Sequence, residues 1–366
     1  MADKRIVTLT LTNSCNLCCS YCYESNKARR GMPFSVAKKI IDYEMSLDTD
    51  KQIIEFDLFG GEPFLEFELI KQITEYLENG DFNKDWIIFT TTNGTLVHGE
   101  IQEWLKTKPH FICGLSLDGT KDMHDKNRSN SFDSIDIDFF VKQYPEQGIK
   151  MTISKETLPN LFDGLMFLHG LEVPISCNLA YGIDWSDKSN VELLEAELDK
   201  TIKYYLDNPS VKPCSMLDED ISKLGETRIE SANIRKWCGV GTAMHTYDVD
   251  GVQYPCQFFM PLSIGEENAI KAKQIDFWEE IPLTFLDKKC ADCNVRDICP
   301  TCYGSNYVAT GNIYVKDKGY CELTKTVLKA RSYFKAKQWE LEQLTLSEEE
   351  EQLLLRSIKI IQDSLC

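Results

Sequence analysis

Strand-like and helix-like runs alternate strictly over about 200 residues at the start of this chain. Such alternation restricts the fold to a parallel sheet joined by right-handed crossovers and covered by helices. Arg5 to Thr12 (RIVTLTLT) alternates apolar and polar positions with a β-branched bias, the period of a strand. After a cysteine-bearing loop, Phe34 to about Leu47 reads as a helix with Ile40, Ile41 and Met45 on one face. Strand signals return at Ile53–Phe59, Trp86–Thr92, Phe111–Leu117, Lys150–Ser154 and Val173–Ala180. Helical signals fall between and after them, at Leu65–Glu78, Gly99–Leu105, Ser134–Gln143, Pro159–Leu168 and Asn190–Leu206. Six such units make an open barrel or a doubly wound sheet, and the period alone does not choose. From about Pro213 regular strands are expected to disappear and cysteines become frequent. Two helices are expected to close the chain, over Thr324–Leu344 and Ser347–Leu365. Ser347 with Glu350 forms a capping box, and Glu348–Glu351 sits where the helix dipole favours acids. The chain thus divides into 1–212, 213–323 and 324–366.

Fifteen cysteines in 366 residues demand a use. An odd count in a large chain without an apolar signal core argues against a disulfide framework and for thiolates bound to metal in a reducing compartment. No apolar run approaches the roughly 18 residues needed to cross a bilayer, so a cytoplasmic, membrane-free protein is expected. The net charge of -18 excludes an extended phosphate-binding surface and hence a nucleic-acid partner. Solubility alone accounts for that acidity, although it also suits a basic peptide.

Cys15, Cys19 and Cys22 are spaced C-x3-C-x2-C within CNLCCSYC. A short irregular loop can converge three thiolates on three irons of a cubane and leave the fourth iron open for chemistry. A zinc knuckle would pair Cys15 with Cys18 and Cys19 with Cys22, but adjacent Cys18 and Cys19 leave no loop between its halves. Cys18 is therefore read as a bystander.

This triplet, just after a first strand and with Tyr21 before its last cysteine, resembles the motif of radical S-adenosylmethionine enzymes. The resemblance implies a partial (β/α)6 barrel whose open iron chelates S-adenosylmethionine. One electron then cleaves that cofactor to a 5′-deoxyadenosyl radical, which takes hydrogen from the substrate. Further matches stand at strand ends, where parallel barrels gather functional groups. Gly60-Gly61-Glu62-Pro63 resembles the motif that binds the cofactor's amino group. Asn93, within Thr92-Asn93-Gly94, ends the third strand, and Ser116 and Asp118 end the fourth. By the same similarity Ser116 and Arg128 are candidates for its carboxylate or ribose. Thr-Asn-Gly and Asp-Gly are ordinary turns when met alone; their recurrence on one side of consecutive strands is what makes the match specific, over roughly residues 5 to 180.

Downstream stand Cys238 (in CGVG), Cys256 (in YPC), Cys290, Cys293, Cys299, Cys302 and Cys321. Spacing alone leaves zinc and iron–sulfur open. The field resembles the SPASM extension of radical S-adenosylmethionine maturases, which implies two auxiliary [4Fe–4S] clusters. Cys290, Cys293, Cys299 and Cys321 would hold auxiliary cluster II, and Cys238, Cys256 and Cys302 auxiliary cluster I. Two departures stand out: Cys299 and Cys302 are C-x2-C where the extension has C-x3-C, and Ala232 occupies a position that is cysteine in some relatives. Cluster I then has an open iron, unless Cys214 reaches it. Cys113 and Cys177 read as small core residues, and Cys366 as a terminal residue without a role.

The resemblance implies a peptide maturase that installs a thioether, carbon–carbon or carbon–oxygen crosslink in a ribosomally made precursor. A flavodoxin or ferredoxin would be its reductant. With 14 residues before Cys15, a leader peptide is expected to bind the barrel, the last helices or a separate leader-binding protein. Asp184 and Tyr181, near the end of the sixth strand, are candidate acid/base groups. Two alternatives stand beside this reading: an anaerobic sulfatase-maturating enzyme that makes formylglycine, and a non-enzymatic zinc or iron–sulfur interaction protein.

Overall fold

A computed structural model describes residues 4–49, 51–226 and 232–365; Cys366 lies outside them. Strand β1 (Lys4–Thr12) leads through the cysteine loop to α1 (Phe34–Ser46), β2 (Ile53–Gly60), α2 (Phe67–Asn79), β3 (Asp85–Thr92), α3 (Glu100–Lys106) and β4 (Phe111–Ser116). Then come α4 (Lys121–Asn127), α5 (Ile137–Gln143), β5 (Ile149–Ile153), α6 (Leu161–His169), β6 (Ile175–Leu179) and α7 (Ser189–Asp207). Six β-then-α units in a row give the α/β class and the element order of a partial (β/α)6 barrel, with strand bounds within two residues of those expected.

The second half departs from expectation. After α8 (Ser215–Asp218) it contains β7 (Asn233–Arg235), β8 (Met244–Tyr247), β9 (Gln253–Tyr254), α9 (Pro261–Ala272), β10 (Glu280–Pro282), α10 (Lys288–Ala291), α11 (Tyr303–Thr310), α12 (Lys318–Glu340) and α13 (Glu348–Leu365). Regular strands therefore do not stop at Pro213. Helix α12 also begins six residues before the expected Thr324, because the Asp317 carboxylate caps it by accepting from Gly319 N at 2.9 Å. That places Cys321 on the helix instead of ahead of it.

The chain forms two compact units, the first comprising Met1–Leu117, His124–Lys150 and Gly239–Phe277. Its strands lie in the order β5-β4-β3-β2-β1-β8-β9. Strand β1 pairs in parallel with β2 on one side and with β8 on the other, Ile6 facing Met244 and Leu9 facing Tyr247. Val7, Leu9 and Leu11 of β1 are wholly buried, the burial expected of a central parallel strand. A buried carboxylate helps hold β8 in place. Glu44 of α1 takes Arg5 Nε at 2.6 Å and the Tyr247 hydroxyl at 2.6 Å. Strand β8 turns back into antiparallel β9 through Gly251, whose φ of 78° favours glycine.

A polar patch on the first-unit strands carries a pH signature. Asp57 of β2 accepts from the Thr8 hydroxyl at 3.4 Å. Burial pushes its carboxyl up to about 6, against the pull of Lys150 and with a push from Glu55. Its folded-state pKa lies above its unfolded value, so this part of the stability is complete below about pH 4 and is lost as pH rises through about 6. Asp57→Asn is expected to flatten that slope in urea unfolding and to add about 1–2 kcal/mol at pH 7. A variant with the parent's pH dependence between 4 and 7 would refute this.

The second unit comprises Asp118–Met123, Met151–Cys238 and Trp278–Cys366. It contains the last residues of β5, followed by β6, with Ala180 N donating to Ile153 O at 2.9 Å. Its core joins Leu328 of α12, Leu354, Ile358 and Ile361 of α13, and Val295 and Ile298. Val295 and Ile298 lie between Cys293 and Cys299, so the closing helices anchor the segment that bears those thiols. The capping box is present: Ser347 N and Oγ each lie 2.8 Å from a Glu350 carboxylate oxygen, and Glu350 N is 3.3 Å from Ser347 Oγ.

Candidate metal and cofactor site

Within the first unit, the loop after β1 is folded by its own backbone. Cys22 N donates to Cys19 O at 3.2 Å, and Leu17 N donates to Cys15 Sγ at 3.4 Å. Cys15, Cys19 and Cys22 are half-buried, whereas Cys18 is exposed. Burial pushes the thiols of Cys15 and Cys22 up, with Lys27 pulling both down. A positive partner is what would keep such sulfurs as thiolates.

The end of β2 is stitched to that loop. Gly61 N donates to Thr12 O at 3.1 Å and Glu62 N to Ser14 O at 2.9 Å. A Cβ at Gly61 would lie 2.3 Å from Ser14 O and 2.9 Å from the Cys15 Cβ. The second glycine is thus demanded by the cysteine loop itself, before any ligand is considered. Glu62 is 1% exposed. Its carboxylate accepts from Thr92 Oγ1 at 2.7 Å, Asn93 N at 2.9 Å and Phe64 N at 3.2 Å. Burial raises its pKa, and these donors together with Arg128 oppose the rise. Pro63 opens the short 3-10 turn Pro63–Glu66. Asn93 Nδ2 donates to Asn16 Oδ1 at 2.9 Å, so the third strand's end also meets the loop.

The end of α4 closes the same neighbourhood. Ser20 N donates to Asn127 O at 2.9 Å, and Cys18 N to Ser129 Oγ at 2.9 Å. The Arg128 guanidinium lies 5.5 Å from the Tyr21 ring centre, a cation–π contact. Tyr21, Glu62, Asn93, Arg128 and the cysteine triplet therefore share one set of strand ends and loops. Ser116 ends β4 and is buried. Asp118, in the second unit, is wholly buried and accepts from Thr152 N at 2.9 Å, a bond that ties the loop after β4 to β5.

In the second unit, Cys290, Cys293, Cys299 and Cys321 border one cavity of about 750 Å3. Asp287 caps the turn that begins there, accepting from Cys290 N at 2.9 Å. Cys302 caps α11, its sulfur accepting from Ser305 N at 3.4 Å, while burial pushes its thiol up to about 11. A second cavity, of about 350 Å3, is lined by Tyr181, Trp237, Tyr320 and Arg331. Tyr181 stacks on Tyr320 with ring centres 4.9 Å apart, and burial pushes its phenol up to about 12, with Cys302 and Cys238 adding to the rise. Asp184 is largely solvent-exposed, 3.8 Å from Lys155, and its pKa is lowered by hydrogen bonds from Ser186. Cys214 is buried, its thiol hydrogen-bonded to Cys177. Cys113 and Cys177 are buried as expected.

Three charged residues escaped the sequence reading. Glu24 is 6% exposed, and one of its carboxylate oxygens has no donor among the described residues. Burial pushes its carboxyl up to about 8. Lys27 donates to Leu17 O at 3.1 Å and lies within the field of all three loop cysteines, which raise its pKa against burial. Lys316 lies 3.0 Å from Cys299 Sγ. The only sequence signal was a lone charge beside a cysteine motif, a pattern usually explained by solvent. Among the described residues no three His, Cys, Asp or Glu side chains are grouped to bind one metal ion. A cubane spreads its thiolates over different irons and does not ask for such a group. The donor sets, half-buried thiols near lysines, fit an anionic cluster.

Residues 5–134 match a family described as a 4Fe-4S single cluster domain. A protein of Methanocaldococcus jannaschii named only as uncharacterised is 32% identical over 166 residues, 44% of this chain and 57% of that one. The chain thus spans little more than half the length of that relative. A cysteine-type anaerobic sulfatase-maturating enzyme of Clostridium novyi is 23% identical over 86% of this chain and 91% of its own length. A radical SAM cyclopropyl synthase, TigE, of Paramaledivibacter caminithermalis is 23% identical over 89% of this chain and 73% of its own length. Among solved structures, native anSMEcpe with bound AdoMet and Kp18Cys peptide superposes with a TM-score of 0.69. That match has 18% identity and covers 93% of this chain and 100% of the other, a likeness of fold.

Proposed function

We propose that this chain is a radical S-adenosylmethionine enzyme of the maturase type and that it modifies a ribosomally made peptide by installing a crosslink. The observation that carries the proposal is the strapping of Gly61 and Glu62 to the loop of Cys15, Cys19 and Cys22. That arrangement holds three thiolates and one buried carboxylate in fixed relation. Bound there, a [4Fe–4S] cluster and S-adenosylmethionine would supply the radical chemistry that removes hydrogen from a peptide carbon.

The chain's own residues bind and orient. Glu62, fixed by three donors, would offer its charge to the methionyl ammonium, and Gly60 and Gly61 would allow close backbone approach. Asn93 and Ser116 stand at neighbouring strand ends. Arg128, parked over Tyr21, offers a guanidinium for a carboxylate or ribose. Cys290, Cys293, Cys299 and Cys321 would hold auxiliary cluster II, and Cys238, Cys256 and Cys302 auxiliary cluster I. The Cys214 thiol is engaged by Cys177, which supports the reading in which Cys214 is not a ligand and cluster I keeps an iron open to a substrate sulfur. Tyr181 lines a cavity of the second unit, whereas Asp184, facing solvent, suits proton exchange with water. A flavodoxin or ferredoxin is the proposed reductant, and a separate leader-binding protein the proposed accessory. Formylglycine formation is the second reading, favoured by the likeness along 91% of the C. novyi enzyme.

Anaerobically reconstituted protein given S-adenosylmethionine, reductant and a cysteine-bearing precursor peptide is expected to release 5′-deoxyadenosine and methionine. By mass spectrometry the peptide is expected to lose two hydrogens. Exchange of its sulfur for oxygen together with that loss of two hydrogens, the change from a cysteine thiol to an aldehyde, would select the second reading, and an unaltered cofactor would sink both.

A further inference from the structure

Lys316 is a buried cation that borders the thiol cavity. It is 8% exposed. Its Nζ lies 3.0 Å from Cys299 Sγ, 2.8 Å from Pro300 O and 3.3 Å from Thr324 Oγ1, so three donors meet three acceptors. The Tyr320 ring centre is 5.8 Å away. No carboxylate pairs with it among the described residues, in contrast to neighbouring Lys325, which meets Glu322 at 3.1 Å. Taking an ammonium out of water without a counter-charge costs several kcal/mol. The anion that would offset this cost belongs in the cavity that Cys299 shares with Cys290, Cys293 and Cys321.

We propose that Lys316 is a positioning residue that raises the reduction potential of the cluster in this cavity and so makes it an electron acceptor. This rests on the reading that the four cysteines hold auxiliary cluster II. Going from the 2+ to the 1+ state, a [4Fe–4S] core gains one electron and its thiolate-ligated assembly becomes more negative. A fixed positive charge that also donates N–H···S to a ligand sulfur favours the more negative state. Cluster charge and hydrogen bonds to sulfur are among the factors that set such potentials. Within a reaction that removes hydrogen from a peptide carbon, an acceptor of this kind would take the surplus electron and return it to an external carrier.

The test is a potentiometric titration of the anaerobically reconstituted full-length protein, followed by EPR. The cluster II signal is identified as the one lost in Cys290→Ser. Lys316→Met is expected to retain iron and sulfide while the equilibrium constant for reduction falls at least tenfold, a shift of 59 mV for a one-electron couple. Lys316→Arg keeps the charge and is expected to recover most of the shift. Should the Met variant fold poorly, Lys316→Gln serves in its place and is expected to shift the same way. An unmoved potential in a cluster-loaded Met or Gln variant overturns the role of Lys316 and leaves the cluster assignment standing. If Cys290→Ser loses neither iron nor an EPR signal, the cluster reading itself fails.

Discussion

Replacement of Cys15, Cys19 and Cys22 together by alanine is expected to abolish cleavage of S-adenosylmethionine while the chain stays folded. These thiols are only half-buried and lie on an irregular loop, so truncation opens no hole in a packed core. The loop's position rests on backbone bonds, Gly61 N to Thr12 O, Glu62 N to Ser14 O and Ser20 N to Asn127 O, none of which uses sulfur. Reconstituted variant protein should hold about four fewer irons than the parent, the content of one cubane, while iron bound by the cysteines from Cys238 onward is expected to be retained. Iron and sulfide determination, circular dichroism and chromatography of 5′-deoxyadenosine read the three consequences separately. Cleavage at the parent's rate by a folded triple variant would remove the basis of the proposed function.

What could be read from the sequence was whatever repeats or converges. The six strands of the repeating units betray themselves because β-branched residues recur with the period of a pleat, as in RIVTLTLT. The cysteine triplet and Gly60-Gly61-Glu62 stand out because tight loops tolerate few residue types. Strand β8 was not visible: Met244-His245-Thr246-Tyr247 is four residues long, too short to show a period. It is a strand because β1 offers a free parallel edge and Glu44 reaches Tyr247. The start of α12 was hidden because glycine and cysteine in its first turn mask the helical pattern until Leu323. Glu24, Lys27 and Lys316 look like solvated charges in a string of letters. Burial is a property of packing over long sequence separations, and only coordinates reveal it.

Substitution at Glu62 should separate a folding role from a cofactor role. Glu62→Ala orphans three buried donors, Thr92 Oγ1, Asn93 N and Phe64 N. At about 1–3 kcal/mol for each donor left unmet, partly relieved by entering water, the unfolding free energy is expected to fall by about 3–5 kcal/mol. Glu62→Gln keeps one carbonyl oxygen for Thr92 and Phe64 but turns an amide N–H toward Asn93 N, so a loss of about 1–2 kcal/mol is expected. Cofactor affinity should follow charge and not stability. Both variants lose the proposed negative partner of the methionyl ammonium, and the dissociation constant for S-adenosylmethionine, measured by equilibrium dialysis on loaded protein, should rise at least about tenfold in each, about 1.4 kcal/mol. Urea unfolding beside the dialysis gives the comparison. A purely structural Glu62 predicts a Gln variant that binds the cofactor as the parent does, and that result would move the cofactor's amino group to another residue.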